Sequence, residues 1–265
     1  MTSAVGLTRA EIASDLISLG LTEGSTVLLN ASLRSMGWVA GGAATVIDAM
    51  LDVLGPTGTL VVPTTTAENS DTSRDHLARV DGLTTAQAAA FRKQMPAFDR
   101  ATTPAVGAGC IAEQVRTTPG AIRSGHPQSS FAAIGPLARA LMKGHRIDCH
   151  LGERSPLGAL YTRGASILMA GVGYAYCTSL HLAEYRYALS PPRSTYRCVI
   201  RYRGRPEWRS YTDVILDDSD FAFIGEMLDK SVDQNRGYVG DAECRLMHMK
   251  QVVDFATEWM RVNRR

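Results

Sequence analysis

Apolar residues recur along this chain at two spacings, and the switches between them outline its elements. In residues 8–20 Ile12, Leu16 and Leu19 share one helix face, Thr8 with Glu11 three positions on has the form of a capping box, and Gly20 supplies a stop. The run STVLLNASL that follows is continuously apolar at its centre, which predicts a strand covered on both faces. The glycine-rich stretch RSMGWVAGGAA then leads into the helical pattern ATVIDAMLDVLG, and GTLVVPT supplies the next strand. Strand, loop, helix and strand in this order predict a βαβ unit, whose ligands collect beyond the carboxyl ends of the strands. Residues 32–42 are therefore a candidate binding loop.

Residues 64–103 have little periodicity apart from LTTAQAAAFRKQM and predict an irregular excursion beside a pocket. Beyond them come a helix around VGAGCIAEQVRTT, a turn in RSGHPQSSFAAIG, a helix in PLARALMKGH, a loop in LGERSPLGALYTRG and a strand in ASILMAGVG. The segment STYRCVIRYRGRPEWRSYTDV alternates and turns at residues 203–206, the pattern of a β-hairpin, and DFAFIGEMLDKSV and MKQVVDFATEWMRVN predict two closing helices. The expected fold class is mixed α/β, a largely parallel central sheet flanked by helices with an added hairpin and helical C-terminal part. No repeat or linker divides residues 1–265, so one integrated domain, or two interlocked subdomains, is expected.

Composition narrows the partners. Of 265 residues 45% are hydrophobic and 20% charged, and 28 basic against 26 acidic side chains leave a net charge of +2, which argues against nucleic acid or an anionic membrane and for a small molecule. Cys110, Cys149, Cys177, Cys198 and Cys244 are odd in number and without paired spacing, as suits a reducing compartment. No export signal or membrane span is visible, and the cytoplasm is the expected location.

Candidate chemistry concentrates in TSLHLAEYRYAL. His181 opens a predicted helix just after a strand and glycine loop, where the positive end of the helix dipole favours a neutral imidazole, the form a general base needs. Glu184, three residues on, shares its face and is placed to orient the ring. The same pair is equally compatible with a packed histidine and a solvated carboxylate. His126, held extended by Pro127, is a second candidate, with a corner-packing role as its alternative. His76, His145, His150 and His248 lack zinc spacing, so no metal is expected. Nucleotide fingerprints and a G-x-S-x-G nucleophile turn are absent.

The strings ASLRSMGWVAGGAATVIDAML, PAFDRATTPAVGAGCIAEQVR, RSGHPQSSFAAIGPLA, GERSPLGALY, LMAGVGYAYCTSLHLAEYR and VGDAECRLM, in that order, resemble the antibiotic N-acetyltransferases, the family of the aminoglycoside 3-N-acetyltransferases. The resemblance runs from about Leu28 to the C-terminus. It is distinct from the common N-acetyltransferase (GNAT) superfamily, whose [QR]-x-x-G-x-[GA] loop RSMGWV fails at Val39.

This resemblance implies acetyl transfer from acetyl-CoA to the 3-amine of the deoxystreptamine ring of an aminoglycoside, and hence antibiotic resistance, in a monomer or homodimer. By resemblance, His181 is the catalytic base with Glu184 as its adjacent acid. Cofactor contacts fall on Ser32, Ser35, Met36, Gly37, Trp38 and Val39, on Ser130, Phe131 and Ala132, and on Ser155, Leu157 and Tyr161. The regions of Glu68 and Asp213, with His126, match positions that hold the polycationic sugar. Many members carry a histidine where this chain has Asn30, which forms hydrogen bonds but relays no proton. Three alternatives stay open: acetyl transfer to another amine, binding of drug or CoA without turnover, and an acyl-CoA hydrolase.

Overall fold

The computed structural model describes residues 6–105 and 107–264. In chain order its elements are α1 Arg9–Ser18, β1 Thr26–Ala31, α2 Ala43–Leu54, β2 Thr59–Pro63, α3 Arg74–Val80, α4 Thr85–Lys93, α5 Gly109–Thr117, β3 Ile122–Arg123 and β4 Phe131–Ile134. They continue with α6 Ala138–Met142, α7 Pro156–Thr162, β5 Ser166–Ala170, α8 His181–Glu184, β6 Arg193–Tyr202, β7 Arg205–Val214, α9 Phe221–Ser231, β8 Gln234–Val239, β9 Ala242–His248 and α10 Met249–Asn263. The capping box on α1 forms as expected, with Thr8 and Glu11 satisfying each other's backbone N–H groups.

Seven strands make one mixed sheet in the order β3-β4-β2-β1-β5-β9-β8, and β6 with β7 makes a separate hairpin. The three central strands β2, β1 and β5 are parallel, while the outer pairings run antiparallel. Each central strand feeds two cores, because successive side chains point to opposite faces. Leu28, Ile167 and Met169 pack with α6, α7, α9 and α10 on one side; Val27, Leu29 and Leu168 pack with α1, α2 and α5 on the other.

Local chemistry departs from the expected elements at four places. The segment expected as a loop, LGERSPLGALYTRG, contains α7: Ser155 caps it by accepting from the Leu157 N–H at 3.2 Å, and Pro156 at the first position needs no N–H partner. The second half of the expected turn RSGHPQSSFAAIG is β4, which completes the sheet beside β2. Residues 64–103 carry α3 as well as the expected α4. VGDAECRLM belongs to the β8–β9 hairpin, which its pattern did not announce.

The β6–β7 hairpin turns on Arg203 and Gly204, both with positive φ (48° and 79°), as a two-residue turn between right-twisted strands requires. Phe98 exchanges backbone hydrogen bonds with Val199 and Arg201, and buried Asp71 accepts from Arg197 and forms an ion pair with Arg92, so the excursion and hairpin hold each other. Among the described residues no helix is long and apolar enough to cross a membrane, and all five cysteines are free thiols.

Candidate active site

A cleft of about 740 Å³ opens over the carboxyl ends of the three parallel strands. Asn30 and Ala31 from β1, Val62 and Pro63 from β2 and Gly171 to Gly173 after β5 form its floor, the place where open α/β sheets collect ligands. Its walls include Ser32 to Arg34, the first residues of α5, Tyr176 to Thr178, His181 and Asp218. The volume lies within the range of small-molecule sites. α5 begins without a side-chain cap among the described residues, and its start, the positive end of its dipole, borders the cleft.

His181 and Glu184 meet as their spacing suggested. His181 Nδ1 donates to Glu184 Oε2 at 2.6 Å, and the ring packs on Phe221 with centroids 4.7 Å apart. Because an ionised carboxylate only accepts, this bond puts the neutral ring's proton on Nδ1 and leaves Nε2 with its lone pair. Glu184 itself is 1% exposed in its side chain, and its other oxygen accepts from the Asp217 N–H and from Arg264 Nη1, both at 2.7 Å. Arg264 also grips Asp220 at 2.6 and 2.8 Å. α8 is a single turn preceded by a 3-10 turn, so the dipole expected to act on His181 is small, and Glu184 and Phe221 fix the ring instead.

Across the floor, Asn30 Nδ2 donates to Thr178 Oγ1 at 2.8 Å. Ser35 Oγ reaches Ser32 Oγ at 3.0 Å and the Gly171 carbonyl at 2.8 Å, tying the loop after β1 to the end of β5. Asp218 is the carboxylate of the cleft; burial opposes its charge, but the ion pair with Arg74 at 2.7 Å outweighs this and holds its carboxyl below the usual range.

Of the expected cofactor contacts, Ser32 alone lines this cleft. Ser35 braces the loop, Met36 and Val39 are buried in the core, Gly37 occupies a positive-φ turn against Asp241, and Trp38 is exposed outside the cleft. Phe131 and Ala132 are buried in β4, and Ser130 Oγ donates to the Thr64 carbonyl and accepts from Arg123. Ser155 caps α7, Leu157 is core, and Tyr161 donates to Asp254 at 2.6 Å under the Arg186 guanidinium.

The expected substrate contacts are also separate. Glu68 lines a smaller pocket of about 230 Å³ with Asp75, His76 and Arg79. Asp213 is buried: Oδ2 accepts from the His150 N–H at 2.6 Å, from His150 Nδ1 at 2.7 Å and from Tyr185 at 2.7 Å. Burial opposes its charge, yet these donors hold the carboxyl below its usual range. His126 is fully buried beside His145 and His150, and accepts at Nδ1 from the Gln128 and Ser129 N–H groups. Burial, reinforced by the neighbouring histidines, pushes its pKa well down; burial pushes His145 down to about 4. Asp213 and His126 are therefore buried, whereas Glu68 is exposed at its own pocket.

Sequence reasoning missed Arg264, Asp218 and the Asn30–Thr178 pair. Their partners lie 80, 144 and 148 positions away, and no spacing rule spans such distances. What the cleft assembles is an oriented imidazole, an uncapped helix start and one carboxylate, a set suited to removing a proton from a nucleophile beside an anionic ligand.

Known proteins resemble this chain in sequence and architecture. The family model described as aminoglycoside 3-N-acetyltransferase matches residues 28–261. The aminoglycoside N(3')-acetyltransferase-like protein YokD of Bacillus subtilis is 36% identical over 95% of this chain and 92% of its own. Its crystal structure superposes with a TM-score of 0.92 at 35% identity, covering 99% and 96% of the two chains. Aminoglycoside N(3)-acetyltransferase VII of Streptomyces paromomycinus is 36% identical over 96% and 91%. AAC-IIIb in binary complex with CoASH, 27% identical, gives a TM-score of 0.84 over 97% of each chain. These neighbours share this mixed α/β architecture and not the common GNAT fold. On this match of sequence and architecture, the chain belongs to the aminoglycoside 3-N-acetyltransferase family.

Proposed function

We propose that this protein transfers the acetyl group of acetyl-CoA to the 3-amine of an aminoglycoside's deoxystreptamine ring, in the cytoplasm, with His181 as general base and resistance as the result. The observation that carries the reading is the oriented His181–Glu184 pair at the wall of the cleft. The CoASH complex of AAC-IIIb and the family match support acetyl-CoA as cosubstrate.

An aminoglycoside amine is largely protonated near neutral pH and must shed a proton before it can attack. That proton leaves to solvent; His181 Nε2 takes the next one from the nitrogen as it bonds to the thioester carbon, and Glu184, paired with Arg264, stabilises the imidazolium. The nitrogen bonds to the thioester carbon, the tetrahedral intermediate collapses with loss of the C–S bond, and the proton passes from His181 to the leaving thiolate. The start of α5 offers N–H groups to the cofactor's anionic part, as Ser32 offers a hydroxyl.

One observation favours a second reading, transfer to a less cationic amine. Asp218 is the one side-chain carboxylate lining the cleft among the described residues and already pairs with Arg74. Both readings are tested by CoA release from acetyl-CoA with a panel of aminoglycosides and simple amines, for wild type and His181→Ala. Aminoglycoside-dependent release, lowered about 10²- to 10⁴-fold in the variant, supports the first. Release with simple amines alone supports the second.

A further inference from the structure

We infer that Asn30 positions the acceptor amine: its side-chain oxygen accepts one hydrogen of the attacking nitrogen while His181 receives another. The inference rests on the acetyl-transfer reading above and assigns a role to a residue that reading leaves unused.

Asn30 is 7% exposed, lies in β1 and contributes to the cleft floor. Its Nδ2 is committed to Thr178 Oγ1, but Oδ1 is buried with no hydrogen-bond partner among the described residues. A buried acceptor without a donor opposes folding, and an apolar side chain in its place would not. The missing donor must therefore come from what occupies the cleft.

The strand's alternation says which reacting group is near. Asn30 shares a face of β1 with Leu28, and Leu28 packs in the same core as Leu180, Leu182 and Phe221, the residues around and beneath His181. Thr178 ties Asn30 to the turn that leads into His181. At the reacting end of acetyl-CoA the thioester has oxygen and sulfur and no donor hydrogen. The amine has donors throughout the reaction. A nitrogen held by His181 on one hydrogen and by Asn30 on a second has its lone pair fixed toward the thioester carbon. The amide oxygen also makes this contact without adding a charge that would keep the amine protonated.

The test compares wild type, Asn30→Leu and Asn30→Asp, each checked by thermal melting. It measures KM for the amine, kcat, the pH profile of kcat/KM, and acetyl-CoA affinity by calorimetry. Asn30→Leu removes the acceptor; KM for the amine is expected to rise roughly 10- to 100-fold with acetyl-CoA affinity unchanged. Asn30→Asp keeps the acceptor, so amine affinity is retained while the pH profile moves alkaline, because a carboxylate stabilises the ammonium form. Three results would overturn the inference: Asn30→Leu kinetics equal to wild type; a defect confined to acetyl-CoA affinity, which assigns the oxygen to a pantetheine amide; or Asn30→Asp as impaired as Asn30→Leu in kcat with amine KM intact, which makes the side chain a donor to the oxyanion. If wild type acetylates no amine in the panel, the transfer reading itself fails. Calorimetric amine binding by wild type and Asn30→Leu then decides the Asn30 contact alone: weaker binding in the variant supports it, equal binding overturns it.

Discussion

Arg264→Met probes how the carboxylate beside His181 is held. Glu184 is 1% exposed in its side chain, and Arg264 supplies one of the two donors on Oε1, each at 2.7 Å, while also neutralising Asp220. Removing one partner of a fully buried pair costs about 3–5 kcal/mol, because the remaining charge is stranded. Here the Asp217 N–H stays, and Arg264 itself keeps 16% exposure, so water compensates in part. We expect a loss of about 2–3 kcal/mol, which corresponds to a fall in Tm of roughly 5–10 °C for a chain of this size. With Glu184 no longer held against His181, kcat is expected to fall at least about tenfold. Denaturant unfolding and CoA-release kinetics measure both. The decisive comparison is the double variant Arg264→Met/Glu184→Gln. With no charge stranded at position 184, it should be about 1–2 kcal/mol more stable than Arg264→Met alone. Additive losses, or an Arg264→Met protein with wild-type Tm and kcat, would refute the reasoning.

Other predictions concern residues away from the cleft. His126 and His145 are buried as neutral rings with depressed pKa values, His145 near about 4, so the unfolded chain takes up protons first as pH falls below its ordinary histidine value of about 6.5. Stability should therefore be intact above that value and fall with pH down to about 4, by up to about 1.4 kcal/mol per pH unit for each ring, as urea unfolding at pH ~5 and ~7 will measure. Asp213→Asn weakens a buried carboxylate network and should lower Tm while leaving KM for the amine unchanged. Ser155→Ala removes the α7 cap and should cost about 1 kcal/mol with KM for acetyl-CoA unchanged; a raised KM would restore Ser155 as a cofactor contact.

Much of the scaffold was legible because its rules are local. The capping box of α1, the apolar runs of β1, β2 and β5, the hairpin of β6 and β7 and the stripe of α10 each declare themselves within a dozen or so residues. α7 was hidden because it spans seven residues, with Ser155 and Pro156 at its start resembling a turn. In β8 just one of six residues is buried, so it shows no two-residue alternation. At the site, His181 and Glu184 were legible since one helical turn joins them. Whether Glu68 and Asp213 share a site was not legible, because charge alone does not reveal whether a carboxylate is exposed beside a pocket, as Glu68 is, or meets internal donors, as Asp213 does.

Residues 64–103 contribute no side chain to either sheet core; α4 buries none of its residues and α3 only His76. They lean on the β6–β7 hairpin through Phe98 and Asp71, and Thr65 reaches the cleft. A lineage can thus rewrite α3 and α4 by substitution or insertion while the two sheet cores stay nearly untouched, since distant changes that share no partner add independently. On the proposed function, the architecture separates the inheritance of a fixed proton-transfer apparatus from the divergence of what is admitted to it.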